Sequence, residues 1–573
     1  MVYQPPVKDI AFALQNVVGL DGLPQASDLD NETIMAILDE AAKLAGGVLA
    51  PLTRVADEFG AVLNADGSVT TPKGTIEAYK QYVDSGWNAV PFNPEYGGQG
   101  LPWVLGFAVQ EMWQGANTAF GLCPLLTQAA VEAIDIHGTQ EQKDLYLAKL
   151  ISGEWTGTMN LTEPQAGTDL AAIKSKATKQ ADGTYKIEGQ KIFITYGEHD
   201  LAENIIHMVL ARTPDAPEGI KGISMFIVPK ILPDGTRNDL QATKLEHKLG
   251  IHGSPTCVMY YGEKGGAVGY LVGQENEGIK YMFTMMNNAR LSVGLQGVAV
   301  AEAATQQAIS YAKDRIQSTR LGSKDGARVA IIEHEDIRRS LLIMKAQVGA
   351  ARMLTYEAAK NLDLIHLGNA KAKARADVLT PIVKAFFTDM SVAVASSAIQ
   401  VHGGMGYIEE TGIAQYYRDA RILPIYEGAN GIHGIDLMFR KLQMDGGVAV
   451  QDFLNDIDVI FAQLGEYTDL QAKSEKALAA LRHSTNIILK RGAVENACVA
   501  TAYLNAFGYL SSAYMWGRAV IAAKNLEDKE YAQSVITLAQ VYATHMLPHL
   551  FSECMVVDEG AEIIAGVNSS FFA

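Results

Sequence analysis

Two changes of hydrophobic period along the chain constrain its fold more than any other feature. From about residue 1 to 155 apolar residues recur at helical spacing; Ile34, Ile37, Leu38, Ala41 and Leu44 follow Asn31, which reads as a helix N-cap. Near Glu154 short β-branched or aromatic runs take over, at 155–160, 184–188, 191–195, 204–212, 222–229 and 256–261, separated by turn signals such as Asp182-Gly183. From about 278 the helical period returns in long Ala-rich segments, including 298–315 and 334–359. A chain of 573 residues is also too long for one core. The pattern predicts a mainly α protein with a central β domain, a barrel or a sandwich. Its divisions fall at 1–155 (helical), 156–277 (β) and 278–449 (helical). A further helical stretch at 450–573 carries amphipathic segments at 451–464, 470–491, 494–524 and 528–547, punctuated by Gly465, Gly492 and Pro548.

Composition excludes several classes of function. Hydrophobic residues make up 48% and charged residues 19%, as in ordinary folded proteins. A net charge of −17 is the wrong sign for a polyanionic partner, because nucleic-acid binding needs clustered Lys and Arg. Residues 450–573 alone carry 8 Lys and Arg against 14 Asp and Glu. Cys123, Cys257, Cys498 and Cys554 are too scattered for a disulfide framework or a zinc site and read as small core residues. The first residues lack the basic and apolar regions of a signal peptide, and no uninterrupted apolar run approaches the about 18–20 residues of a membrane span. These observations predict a soluble, cytoplasmic protein with no membrane or nucleic-acid partner.

One segment invites chemistry: Arg418-Asp-Ala-Arg-Ile-Leu-Pro-Ile-Tyr-Glu-Gly-Ala-Asn-Gly-Ile-His-Gly434. Pro424, Gly428, Gly431 and Gly434 break the helical pattern, which puts Glu427 on a turn between helices. Ile422, Leu423, Ile425 and Tyr426 would exclude water and raise its pKa toward the range of a general base. The string Ile425-Tyr426-Glu427-Gly428 resembles the catalytic-base segment of the acyl-CoA dehydrogenase family. Three more stretches resemble segments of that family in the same order: Thr162-Glu-Pro-Gln-Ala-Gly-Thr-Asp169, Gly189-Gln-Lys-Ile-Phe-Ile-Thr195 and Gln400-Val-His-Gly-Gly-Met-Gly-Tyr407.

The resemblance implies a helical N-terminal domain, a β-barrel middle domain and a C-terminal four-helix bundle. Residues 450–573 resemble the additional helical domain of longer members, 3-methylmercaptopropionyl-CoA dehydrogenases among them. It implies FAD-dependent α,β-dehydrogenation of an acyl-CoA, with 3-(methylthio)propanoyl-CoA or another short or medium acyl-CoA as substrate and an electron-transfer flavoprotein as electron acceptor. In that reading Glu427 is the base and its backbone N–H supports the thioester oxygen, while Thr162 and Thr195 bond the flavin ring beside Phe193. Thr168 holds CoA or flavin phosphates, and Arg290, Tyr426 and Gly428 belong to the substrate site. Arg315, Gln400, Gly403 and Gly404 reach the FAD of a neighbouring subunit, which requires a homo-oligomer, a dimer or a dimer of dimers. The glycine-rich turn at 93–100 opens a helix near Trp103 that lines the acyl pocket. Without the resemblance, Thr162 and Thr195 read as ordinary strand threonines, Arg290 as a helix charge and 93–100 as a plain loop.

Ala429 and Gly431 stand where the family commonly has Thr and Gln, which removes FAD contacts of about 0.5–1.5 kcal/mol each. There is no Gly-x-Gly-x-x-Gly after a strand, no His-Glu-x-x-His, no Cys-x-x-Cys and no Gly-x-Ser-x-Gly, so Rossmann, zinc and serine-hydrolase readings lack a motif. An acyl-CoA oxidase, and a flavin-containing relative that binds nucleic acid, are the alternatives; the acidic 450–573 stretch argues against the second.

Overall fold

The computed structural model describes residues 3–322, 324, 326–443 and 445–573. Helices precede a sheet and follow it, as the changes of period predict. Helix Asn31–Leu44 is capped by Asp30, whose carboxylate accepts the Thr33 N–H at 2.7 Å. The cap therefore lies one residue before the expected Asn31, because Asp30 has the extended backbone that a cap requires and Asn31 is already helical. After two shorter helices, Thr53–Phe59 and Thr75–Asp84, with the hairpin of Val62–Leu63 and Val69–Thr70 between them, Trp103–Ala116 and Thr118–His137 are buried on nearly every face. By length and composition Thr118–His137 and Ala370–Tyr407 could cross a bilayer, yet 78% and 72% of their apolar windows lie inside the protein. Their apolarity serves the core.

Eight strands form one sheet. Its order is Trp155–Asn160, Asn204–Ala211, Ser224–Pro229, Ala267–Leu271, Tyr185–Thr195, Thr256–Tyr261 and Leu240–Leu245, with Lys176–Lys179 also paired to Tyr185–Thr195. The first pair is parallel and the others antiparallel. Lys176 also bridges Arg212, just beyond Asn204–Ala211, and the Ala177 N–H donates to the Arg212 carbonyl at 2.8 Å. The sheet thereby curls back on itself around a separate core of Tyr185, Ile187, Val209, Phe226 and Val228. This is barrel-like closure, not a sandwich. Segments 184–188 and 191–195, expected as two strands, are one strand with a register shift between Lys191 and Ile194. Lys176–Lys179, Leu240–Leu245 and Ala267–Leu271 are strands that the sequence reading does not contain.

Helices Gly278–Asp314, Glu335–His366 and Ala370–His402 pack on one another, and a short hairpin of Ile316–Thr319 and Arg328–Ala330 follows the first. Close approach depends on two glycines. A methyl on Gly294 would lie 2.5 Å from Val383 Cγ1, and one on Gly297 would lie 2.6 Å from the Phe387 carbonyl oxygen. The further helices include Val448–Ala462, Thr468–Ile488, Ala500–Ala523, Lys529–His545 and His549–Glu559. Residues 494–524, expected as one helix, are interrupted at Val499 (φ −118°, ψ 10°). Ala500–Ala523 packs on Glu335–His366 and Ala370–His402, with Phe386 against Gly508 and the Trp516 indole N–H donating to the Ala346 carbonyl at 3.0 Å. Tyr531 donates to Asp9 at 2.7 Å, and Lys8 pairs with Asp528 at 2.7 Å. The added helices thus share the main core with the rest of the chain.

Candidate active site

Glu427 lies on a turn between helices Ile413–Ala420 and Asn430–Asp436. The Ile425 and Tyr426 N–H groups both return to the Ile422 carbonyl, at 2.9 and 3.2 Å, and the Asn430 N–H closes the turn on the Pro424 carbonyl at 3.0 Å. Within that frame Glu427 takes φ +54°, a left-handed conformation that is strained for a side chain with a Cβ. Neither its backbone N–H nor its carboxylate has a hydrogen-bond partner among the described residues. Burial raises its pKa, and the cations of Arg290 and Lys384 act in the opposite direction. The apolar flank is one-sided: Leu423 is buried, Ile422 and Tyr426 are half-buried, and Ile425 is 51% exposed.

Arg290, from helix Gly278–Asp314, is buried with its Nε unpartnered, and Glu427 and Asp436 are its nearby anions. Lys384, wholly buried on helix Ala370–His402, donates to the Gly428 carbonyl at 2.6 Å and to Asn430 Oδ1 at 2.9 Å. The His433 Nε2–H donates to the Glu427 carbonyl at 3.1 Å. Tyr426 bonds Gln296 Oε1; Gln296 Nε2 donates to Gln114 Oε1 at 3.1 Å, and Gln114 Nε2 to the Gly121 carbonyl at 2.9 Å. This buried chain ties the Glu427 turn to Trp103–Ala116 and Thr118–His137. Lys384 and Gln296 escape the sequence reading, although Lys384 is the lone charge in Pro381-Ile-Val-Lys-Ala-Phe-Phe387.

A second group gathers at the sheet. Glu163 and Lys191 are both buried and pair at 2.8 Å; Ser175 Oγ and the Lys174 N–H add bonds to Glu163 at 2.6 and 2.7 Å. Lys191 also donates to the Leu161 carbonyl at 3.0 Å, and the Ile192 N–H to the Thr162 carbonyl at 2.9 Å. These contacts hold Thr162 against the strand that carries Phe193 and Thr195. Phe193, at the register shift, takes φ +60° and is 59% exposed. The hydroxyls of Thr162, Thr168 and Thr195 have no hydrogen-bond partner among the described residues.

Arg315, Gln400, Gly403 and Gly404 form a third, exposed group. Tyr311, whose carbonyl accepts the Arg315 N–H at 2.9 Å, stacks on His402 with centroids 4.2 Å apart. That stack couples the Arg315 corner to the Gly403 loop. No hydrogen bond, ion pair or ring contact among the described residues joins this group to the Thr162–Thr195 group. A cavity of about 150 Å³ lies elsewhere, against Asp9, Lys345, Arg352, Trp516 and Tyr531.

The arrangement offers a half-buried carboxylate with a raised pKa, buried cations, and an exposed aromatic on a strand, with unpartnered threonine hydroxyls on that strand and in the loop after Trp155–Asn160. Family models described as "Acyl-CoA dehydrogenase, N-terminal domain", "middle domain" and "C-terminal domain" match residues 31–154, 158–263 and 276–441. One described as "Acetyl-CoA dehydrogenase C-terminal like" matches 449–567. The chain is similar to a 3-methylmercaptopropionyl-CoA dehydrogenase of Ruegeria pomeroyi, 44% identical over 98% of this chain and 99% of that one. The chain belongs to the acyl-CoA dehydrogenase family. Its members are oxidoreductases. Among solved structures, Caenorhabditis elegans ACDH-11 in complex with C11-CoA has a TM-score of 0.81 at 19% identity, covering 99% of this chain and 96% of that one. A Bacillus anthracis acyl-CoA dehydrogenase complexed with FAD has a TM-score of 0.72 at 20% identity, covering 98% and 92%. At these identities the two likenesses speak for the acyl-CoA dehydrogenase fold.

Proposed function

We propose that this family member catalyses α,β-dehydrogenation of an acyl-CoA thioester to the trans-2-enoyl-CoA, with Glu427 accepting the α-proton and FAD as cofactor. The single observation that carries this reading is the strained, half-buried Glu427, whose carboxylate and N–H both lack a hydrogen-bond partner among the described residues. A carboxylate with a raised pKa is a better match for a carbon acid than an ordinary glutamate, and the adjacent N–H is a donor for the thioester oxygen as enolate charge develops. Arg290 provides further positive potential at the same place.

The residues present suit FAD. Phe193 offers an exposed ring, Thr162, Thr168 and Thr195 offer unpaired hydroxyls, and Arg315 offers a planar guanidinium for the pyrophosphate. FAD when bound supplies the hydride acceptor that no side chain can be. Arg315, Gln400, Gly403 and Gly404 belong, in this proposal, to the FAD site of a neighbouring subunit in a homo-oligomer. Support comes from their exposure, from the lack of a hydrogen bond, ion pair or ring contact among the described residues joining them to the Thr162 group, and from exposed Met405 and Tyr407 in the same Gly403–Tyr407 turn. Short or medium acyl-CoAs, 3-(methylthio)propanoyl-CoA first, are the proposed substrates on the strength of the Ruegeria relative, with an electron-transfer flavoprotein as the electron acceptor.

Glu427→Gln tests the reading. It preserves shape but cannot take the proton, so turnover should fall by at least the ~10²–10⁴ of general-base removal. Under anaerobic conditions the variant should bind acyl-CoA and leave its flavin oxidised. Flavin reduction at the wild-type rate would overturn the assignment.

A further inference from the structure

A fully buried lysine is expensive unless its ammonium is saturated with partners, and Lys384 is aimed at the Glu427 turn. It donates to the Gly428 carbonyl at 2.6 Å and to Asn430 Oδ1 at 2.9 Å. Asn430 is itself anchored to the helix of Lys384: its Nδ2 donates to the Ala385 carbonyl at 3.0 Å and to Thr388 Oγ1 at 3.0 Å. Helix Ala370–His402 therefore grips the residues one and three positions after Glu427, while His433 grips the Glu427 carbonyl from the other side. The close approach at Gly294 and Gly297 fixes the helix segment that carries Lys384, between Val383 and Phe387.

Building on the assignment of Glu427 as base, we infer that Lys384 and Asn430 are positioning residues that hold the Glu427 turn in its left-handed conformation, and that the Lys384 charge, second to that of Arg290, favours ionised Glu427. The charged and titratable groups around this point are few. Arg290 faces Glu427 from Gly278–Asp314, Lys384 from Ala370–His402, His433 from Asn430–Asp436, and Tyr426 adjoins it on the turn. Asp389 and Arg290 face Lys384, and Asp436 and Arg440 face Arg290. Burial pushes His433 down to about 3, so it is neutral, and Arg290 and Lys384 are the two cations acting on Glu427. Burial likewise pushes Lys384 down to about 7, against the pull of Glu427 and Asp389. Below that pH it is charged and helps to keep Glu427 ionised, so its removal moves the acidic limb of activity upward.

Three variants separate the two roles in the FAD-loaded enzyme, with a short-chain acyl-CoA as probe. Lys384→Gln removes the charge and, one atom shorter, weakens the bond to the Gly428 carbonyl; the acidic limb of kcat/KM should rise by about one pH unit, with a smaller fall in kcat than in Lys384→Met. Asn430→Ala loosens the anchor and removes one of the two acceptors of the Lys384 ammonium; kcat should fall by about tenfold with KM unchanged, and the acidic limb should rise by less than in the Lys384 variants. Lys384→Met should show both effects. If a Lys384 variant does not accumulate as folded, FAD-loaded protein, the other and Asn430→Ala decide. A wild-type limb in the Lys384 variants together with wild-type kcat in Asn430→Ala would overturn the inference. Glu427→Gln, run alongside, distinguishes the two failures: if it is inactive while these three behave as wild type, only the positioning role falls; if it is active, the base assignment falls.

Discussion

At the scale of the residue, Glu163 and Lys191 show how a recognisable motif can hide its own purpose. Both belong to segments that resemble the family's, yet the roles the resemblance implies there fall on Thr162, Thr168, Phe193 and Thr195 around them. The pairing is invisible in one dimension, because the partners lie 28 positions apart and meet only when the strand bends. Burial opposes the charge on Glu163, but Lys191 and the bonds from Ser175 and Lys174 hold its carboxyl down at about 2, against an ordinary value of ~4.3. Its folded pKa is depressed, so the stabilisation is complete above roughly pH 4.3 and is lost as pH falls toward 2. Glu163→Gln leaves a buried ammonium without its counter-ion and should lower unfolding free energy by about 3–5 kcal/mol at neutral pH. Urea denaturation at pH 7 and pH 4 measures both effects, and the wild-type advantage should shrink at the lower pH. The turn at Glu427 and the upward push on its pKa, by contrast, are legible from its neighbours, although exposed Ile425 shows that only one flank of the turn is sealed.

At the scale of the element, what was legible followed the strength of the periodic signal. Long Ala-rich helices and the strongly apolar strands, such as Asn204–Ala211, announce themselves because nearly every residue is buried. Lys176–Lys179 and Leu240–Leu245 do not, since exposed Lys and Thr interrupt their apolar positions, and Ala267–Leu271 is short and contains glycine. Helix contacts made by absent side chains are equally silent: nothing in Gly294 or Gly297 says which helix comes near. Gly297→Ala drives a methyl toward the Phe387 carbonyl, which is backbone and cannot rotate away. Overpacking of this kind should destabilise by about 1–3 kcal/mol. Because the displaced segment carries Lys384, kcat should fall as well, and thermal denaturation combined with steady-state kinetics reports both.

At the scale of the whole molecule, the shared-site proposal predicts that Arg315→Ala weakens FAD retention by removing a charged contact made across subunits. FAD content after gel filtration, read with the mass of the eluting species, checks it; a monomer that keeps full FAD would count against the arrangement. The order of helices, sheet and helices was readable throughout, but the packing of the added helices onto residues near the start of the chain was not. Asp9 and Tyr531, which bond each other, are separated by 522 positions. A ribosome adding about 5–20 residues per second needs roughly half a minute to two minutes to cover that interval. Throughout it, the Phe12 ring lacks the Tyr531 ring that meets it edge-on, centroids 5.5 Å apart, in the folded chain. The fastening of this early segment by Tyr531 therefore cannot precede synthesis of the late helix that carries it.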